Sequence, residues 1–319
     1  MLPDDFLDKH PKLRQGLFQH EPMFPIISLV DGAPGFPEQL GSKTKFWSPM
    51  DKGLHLFKIG RPGTGENWAE KIAAELAELL GLPHAHYDLA IWREQRGVLS
   101  PDIVPEGGHL MLGNELLAAS HADYPESKGR RVPEHTLDRI HALLIDQTIG
   151  FPMDWRPPSD RISTAYDLFL GYLLLDAWIA NQDRHHENWG LIEHKNDTYL
   201  APSFDHAASM GQNETDDTRR DRLTTKDQRR HISAYTKKAR SAIYEGETSK
   251  KPMLTFDLFQ AAVARSPRAA RVWLDRLQKI SENDCRNLFE QLPLGEITSP
   301  AKQFALTLLT SNRKRLLDP

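Results

Sequence analysis

Cysteine occurs once in the 319 residues, at Cys285. A lone thiol excludes an intramolecular disulfide and a cysteine-rich zinc site, and it fits a reducing compartment. Long apolar runs are missing too. The longest, residues 168–180, is too short to cross a bilayer and is interrupted by Asp176. Residues 1–6 carry neither a basic stretch nor an apolar one, so a secretory leader is not expected. Charge of one sign is not in excess: 40 Lys and Arg face 44 Asp and Glu, a net charge of −4, which gives no overall basic signature for nucleic acid. No internal repeat is visible. Together these absences lead to the expectation of a soluble cytoplasmic protein.

What is present is enough for one large two-lobed domain. Hydrophobic residues make up 39% of the chain and charged residues 26%. Residues 1–40 are rich in Pro and aromatics and are expected to wrap the first lobe. Residues 54–59 (Leu-His-Leu-Phe-Lys-Ile) predict a strand that stops at Gly60. A helix follows, with Ala69, Ile72, Ala73, Leu76, Leu79 and Leu80 as its apolar stripe. Gly81 and Pro83 form its stop, and Asn67 with Glu70 resembles a capping box at its start. Residues 86–92 and 97–104 predict two more strands. After Gly113 the pattern turns helical over 114–119, 133–150 and 163–180, the last apolar all round and therefore central. Residues 189–192 and 199–201 predict a hairpin around Lys195-Asn196-Asp197. Residues 212–251 are polar with basic clusters, and helical periodicity returns over 254–317. The fold class is α+β, with a sheet-plus-helix lobe over 1–112 and a larger helical lobe over 113–319.

The chemistry concentrates after the central helix. Asp183 is followed five positions later by Asn188, and Asp205 comes one hairpin after that. A carboxylate to orient an attacking hydroxyl, with an amide oxygen and a second carboxylate to hold magnesium, is the minimal set for phosphoryl transfer. Such a site needs a cation opposite. Lys58, within an otherwise apolar strand, is the candidate, and Glu70 on the next helix is its candidate partner. Gly60-Arg61-Pro62-Gly63-Thr64-Gly65 lacks Gly-Lys-Ser/Thr and reads as a connector rather than a Walker A loop. His185, His186, His194 and His206 crowd the same region, but no His-Glu-x-x-His spacing occurs, and hard oxygen ligands suit magnesium.

Phe57-Lys58, residues 68–83, the run Asn181-Gln182-Asp183-Arg184-His185-His186-Glu187-Asn188, and Leu200-Ala201-Pro202-Ser203-Phe204-Asp205 form an ordered set that resembles the HipA-like family. These are Ser/Thr protein kinases, many of them toxins of bacterial toxin–antitoxin pairs. The resemblance runs from about residue 39 to the helical tail and implies a two-lobed protein-kinase-like fold. It implies Asp183 as the catalytic aspartate, Asn188 and Asp205 as magnesium ligands, Lys58 as the phosphate-binding lysine and Glu70 as its helix partner. His185 would brace the catalytic loop beside the nucleotide. Gly41-Ser42-Lys43-Thr44-Lys45 looks like the family's phosphate-covering loop, with Lys43 where Gln is usual, and adenine would lie near residues 111–113, bounded by Met111 and Gly113. Glu38 stands where a regulatory autophosphorylated serine is expected, with Ser42 and Thr44 as alternatives. ATP and Mg2+ are the implied cofactors. The implied partners are a protein substrate such as an aminoacyl-tRNA synthetase and a small antitoxin, with DNA reached only through that antitoxin.

Two other readings stay open at this level. One is a metal-dependent hydrolase built on Asp183, His185, His186, Asp205 and His206. The other is a catalytically inactive antitoxin-binding module, against which the joint presence of Asp183, Asn188, Asp205 and Lys58 argues. A lipid or small-molecule kinase would use the same catalytic parts. The Arg residues between 219 and 240, beside Thr224 and Thr225, read either as a solvated loop or as an activation-loop-like segment.

Overall fold

A computed structural model describes residues 23–30, 32–37, 44–51, 53–125, 129 and 132–318. Ten strands form two sheets among these residues. The strands are β1 (Ile26–Ser28), β2 (Phe36–Pro37), β3 (Lys45–Met50), β4 (Gly53–Ile59), β5 (Asp88–Trp92), β6 (Gln95–Pro101), β7 (His109–Leu112), β8 (Ile149–Gly150), β9 (Gly190–His194) and β10 (Asp197–Leu200). The first sheet has six strands in the order β1-β5-β6-β4-β3-β2, and the second has four in the order β7-β9-β10-β8. Helix α1 (Glu66–Leu80) follows β4 and packs against β5 and β6. The larger lobe holds α2 (Gly113–Ser120), α3 (Leu137–Leu144), α4 (Ala165–Ile179), α5 (Asp216–Thr224), α6 (Ile232–Thr236), α7 (Thr255–Arg265), α8 (Pro267–Lys279), α9 (Glu282–Glu290) and α10 (Ser299–Leu317). This is the expected α+β, two-lobed architecture. Strand β7 pairs with β9, so residues 109–112 lie in the sheet of the larger lobe.

Local chemistry explains most boundaries. Helix α1 ends where Gly81 adopts the left-handed conformation (φ 70°), its N–H bonding Glu78 O while Leu82 N–H bonds Ala77 O. That is the stop predicted from Gly81 and Pro83. The predicted capping box at Asn67 is corrected: the helix starts at Glu66 after Gly65, with no side-chain cap. Glu66 turns back to accept from Arg61 N at 2.9 Å and from Arg61 Nη1 at 2.7 Å, which extends the helix past Asn67 and leaves Glu70 for another role.

The strands predicted over 86–92 and 97–104 close up into a two-residue hairpin, Trp92 facing Gln95 across Arg93 and Glu94. Both turn residues have positive φ (46° and 63°), a conformation that Asn or Gly would have advertised. The helix predicted over 133–150 is shorter. Asp146 Oδ1 accepts from both Thr148 N and Thr148 Oγ1, which ends the helical run and releases Ile149–Gly150 to pair in parallel with β10. The hairpin around Lys195 and Asn196 forms as predicted (φ 53° and 68°).

Helix α4 is the axis of the larger lobe, and all of its residues are buried. A capping box of Thr164 and Asp167 starts it. Helices α7, α8 and α10 pack around it, and Gly171 lets Trp273 and Leu82 approach closely. No helix among the described residues is long and apolar enough to cross a membrane.

His135 ties this lobe together from inside. Its Nδ1 lies 3.0 Å from Ala242 O, and its Nε2 accepts from Trp189 Nε1 at 3.0 Å. Burial pushes its pKa down to about 3 despite the Ala242 carbonyl, so the folded protein keeps the ring neutral. The unfolded chain takes up that proton near pH 6.5. The contribution of His135 is therefore complete above about pH 6.5 and is lost as pH falls toward 3, at about 1.4 kcal/mol per pH unit. Urea unfolding at a series of pH values should show a shallower acid slope for His135→Gln by that amount; an unchanged slope contradicts the assignment.

Candidate active site

The site forms where the C-terminus of α4 meets two loops and one strand. Ala180 ends α4 in the left-handed region (φ 54°) and turns the chain into residues 181–189. Asp176, inside the apolar helix, has to be paired to remain there. Its partner is Arg184, which is fully buried: Nε donates to Oδ2 at 2.7 Å and Nη2 to Oδ1 at 2.8 Å. The same guanidinium donates to Asn188 O at 2.7 Å and to Ser203 Oγ at 3.1 Å. Burial works against its charge, and Asp176 reverses that and raises its pKa. Asn181 completes the frame, donating to Asp176 Oδ1 at 2.8 Å and accepting from Asp183 N at 3.2 Å.

This frame brings the predicted acidic residues together. Asn188 Nδ2 donates to Asp183 O at 2.7 Å, which closes the loop and leaves Oδ1 out of that bond. His185 braces the loop as expected. Its Nδ1 accepts from Glu187 N at 3.2 Å, and its Nε2 stands 3.9 Å from Asp183 Oδ1. His186 is buried instead, with Nδ1 2.7 Å from Tyr124 Oη. Asp205 sits at positive φ (57°), a strained position for a non-glycine residue that only a well-determined surround maintains.

That surround comes from the smaller lobe. Lys58 Nζ lies 3.7 Å from Asp205 Oδ1. Tyr87 Oη accepts from Asp205 N at 3.2 Å, and Lys58 Nζ lies 5.3 Å from the centre of the Tyr87 ring. Glu70 Oε1 accepts from His206 N at 2.6 Å. The carboxylate expected to pair with Lys58 thus holds the residue beside Asp205, while adding to the negative field at the lysine. Burial by itself would lower the Lys58 pKa; Asp205, then Tyr87 and Glu70, outweigh it and hold the ammonium above the ordinary lysine range. Lys45 lies directly opposite Lys58 in the β3–β4 ladder.

The remaining predicted contacts are less uniform. Gly41, Ser42 and Lys43, with Glu38, lie outside the described residues, and Thr44 O accepts from Ile59 N at 3.1 Å where the loop rejoins the sheet. Gly113 is buried against Trp189, and its N–H is spent on Trp189 O at 2.9 Å. Met111 pairs with Leu191 in the ladder between β7 and β9, and β7 is the edge strand of the second sheet.

Arg184, Asn181, Tyr87 and Ser203 were not singled out from sequence. The available signal was Asp176, since a carboxylate in an all-apolar helix demands a buried cation nearby. Five of the Arg residues between 219 and 240 are matched by acids, Arg219–Asp216, Arg220–Asp217, Arg222–Glu214, Arg229–Asp227 and Arg230–Asp221, and Arg240 donates to Pro252 O.

Comparisons with known proteins agree with this architecture. No family model and no curated protein matches the sequence. Among solved structures, the Helicobacter pylori proinflammatory kinase CtkA superposes with a TM-score of 0.70 at 18% identity, over 92% of this chain and 96% of that one. HipA, solved in a toxin–antitoxin complex with HipB and operator DNA from Shewanella oneidensis, gives 0.55 at 12% identity, over 96% of this chain and 70% of that one. The chain therefore has the two-lobed kinase-like fold of HipA-type proteins, as its motifs implied.

Arg184→Met should cost about 3–5 kcal/mol, because it strands a buried carboxylate. Adding Asp176→Leu should recover part of that loss. Urea midpoints decide the matter, and a single variant as stable as the parent contradicts the pairing.

Proposed function

We propose that this chain is a serine/threonine protein kinase that uses ATP and magnesium. The observation that carries the proposal is the convergence of Asp183, Asn188, Asp205 and Lys58, contributed by both lobes, around one buried Arg184 frame. The donor set suits magnesium. Two hard oxygen donors, the Asn188 amide oxygen and the Asp205 carboxylate, complement a metal that takes its other ligands from phosphates and water. Among the described residues, no three His, Cys, Asp or Glu side chains converge to hold a metal by themselves. His206 Nε2 is 2.7 Å from Ser203 Oγ, and burial holds that ring well below the usual histidine pKa. These facts weigh against the hydrolase reading.

In the proposed reaction Asp183 orients a substrate hydroxyl and accepts its proton. Lys58 and Lys45 bind phosphate oxygens, and Asn188 and Asp205 hold the metal, which supplies charge neutralisation. Asp183 stays in place because its N–H and C=O are both fixed, by Asn181 and Asn188. The HipA complex with HipB and DNA motivates the proposal of a small antitoxin as partner, with DNA reached through it; the motif resemblance motivates that of growth arrest through phosphorylation of a translation component such as an aminoacyl-tRNA synthetase.

Purified protein incubated with γ-labelled ATP and Mg2+ should incorporate label into itself or an added protein. Asp183→Ala should lower the rate by roughly 10²-fold or more. Transfer that is absent from the parent, or equal in the variant, removes the kinase assignment.

A further inference from the structure

A cavity of about 430 Å³ is lined by residues of both lobes. None of Lys58, Asp183, Asn188 or Asp205 lines it. Its walls come from the end of α1, the connector to β5, the residues after β6, the segment before α4, and the β9–β10 hairpin. Its volume falls within the range of small-molecule sites, about 300–1,000 Å³.

The lining has a definite chemical character. Trp155, Tyr199 and the His84–His86 ring pair (centroids 4.9 Å apart) supply aromatic surface. Asp102 and Asp154 supply exposed carboxylates, Glu78 is paired with His84 Nε2 at 3.1 Å, and no Lys or Arg lines the cavity. Carboxylates around low-dielectric walls focus a negative potential into the opening. Aromatic faces beside them favour a cation with an apolar body.

The cavity is also wired to the site. Ser203 N donates to Pro83 O at 3.0 Å, and Ala85 N donates to Ser203 O at 2.9 Å, so one cavity wall is stitched to the residue two before Asp205. Ser203 Oγ in turn accepts from Arg184. The same connector leads to Tyr87, which accepts from Asp205 N and has Lys58 Nζ 5.3 Å from its ring centre.

We propose that this inter-lobe cavity binds a small organic cation with a flat apolar body, and that its occupancy is coupled to nucleotide affinity through Ser203 and Tyr87. The coupling rests on the kinase reading; the binding does not. A ligand that favours one lobe arrangement changes nucleotide affinity, and the nucleotide changes ligand affinity by the same factor.

The test uses the full chain and three probes of similar shape: phenethylammonium, 2-phenylethanol and phenylacetate. Saturation-transfer NMR should show binding of the cation in preference to the neutral and anionic probes. The Asp102→Asn/Asp154→Asn double variant, checked for an unchanged melting temperature, should weaken the cation by roughly tenfold. A non-hydrolysable ATP analogue should shift the cation affinity by roughly fivefold or more without displacing it at saturation. Equal binding of all three probes, no effect of the double variant, or simple displacement by the nucleotide overturns the site. Binding only of a lysine-bearing peptide overturns it in favour of a protein-docking surface. Amine binding without phosphate transfer would leave the site standing and the kinase reading fallen; the reverse outcome would do the opposite.

Discussion

The buried pair of Arg184 and Asp176 is the interaction on which the rest of the arrangement depends. Removing two charges from water is costly, and a buried ion pair often adds little net stability. Here the pair works as a connector. Asp176 belongs to the central helix, and the guanidinium reaches from it to Asn188 in one loop and Ser203 in the next. Both groups are fixed in place by a helix that is itself locked by packing on every side. The loops that carry the chemistry therefore inherit the rigidity of the core, which is what a preorganised site needs.

The smaller lobe acts on the same point from the other side. Lys58, Tyr87 and Glu70 reach Asp205 or its neighbour His206. Asp205, at positive φ, is held by groups from both lobes. Bringing the lobes together and placing the Asp205 carboxylate are thus one structural event. The carboxylate of α1 contributes to it through the His206 backbone N–H, with its charge acting on Lys58 from nearby.

Much of this was legible in the sequence, and the exceptions have physical reasons. The spacing of Asp183, Asn188 and Asp205 led to the proposed reaction class, and the nearly apolar run over 163–180 marked the central helix. The stop at Gly81 and the Lys195–Asn196 hairpin followed from ordinary turn chemistry. The Arg93–Glu94 turn was hidden because it uses positive φ without Gly or Asn. The start of α1 was misplaced because Glu66 is satisfied by Arg61, a contact that no capping pattern announces. Arg184 was passed over because its role lies in four hydrogen bonds to Asp176, Asn188 and Ser203, whereas Asp183 beside it fits a recognisable local pattern.

The account stands or falls on whether Lys58 and the two acidic loops form a single nucleotide–metal site. Calorimetric titration of a non-hydrolysable ATP analogue, with and without Mg2+, against the parent chain and Asp205→Asn tests this most directly. The account predicts tight binding that requires the metal and is lost in the variant. Binding of equal strength without the metal, or unchanged by Asp205→Asn, would contradict it.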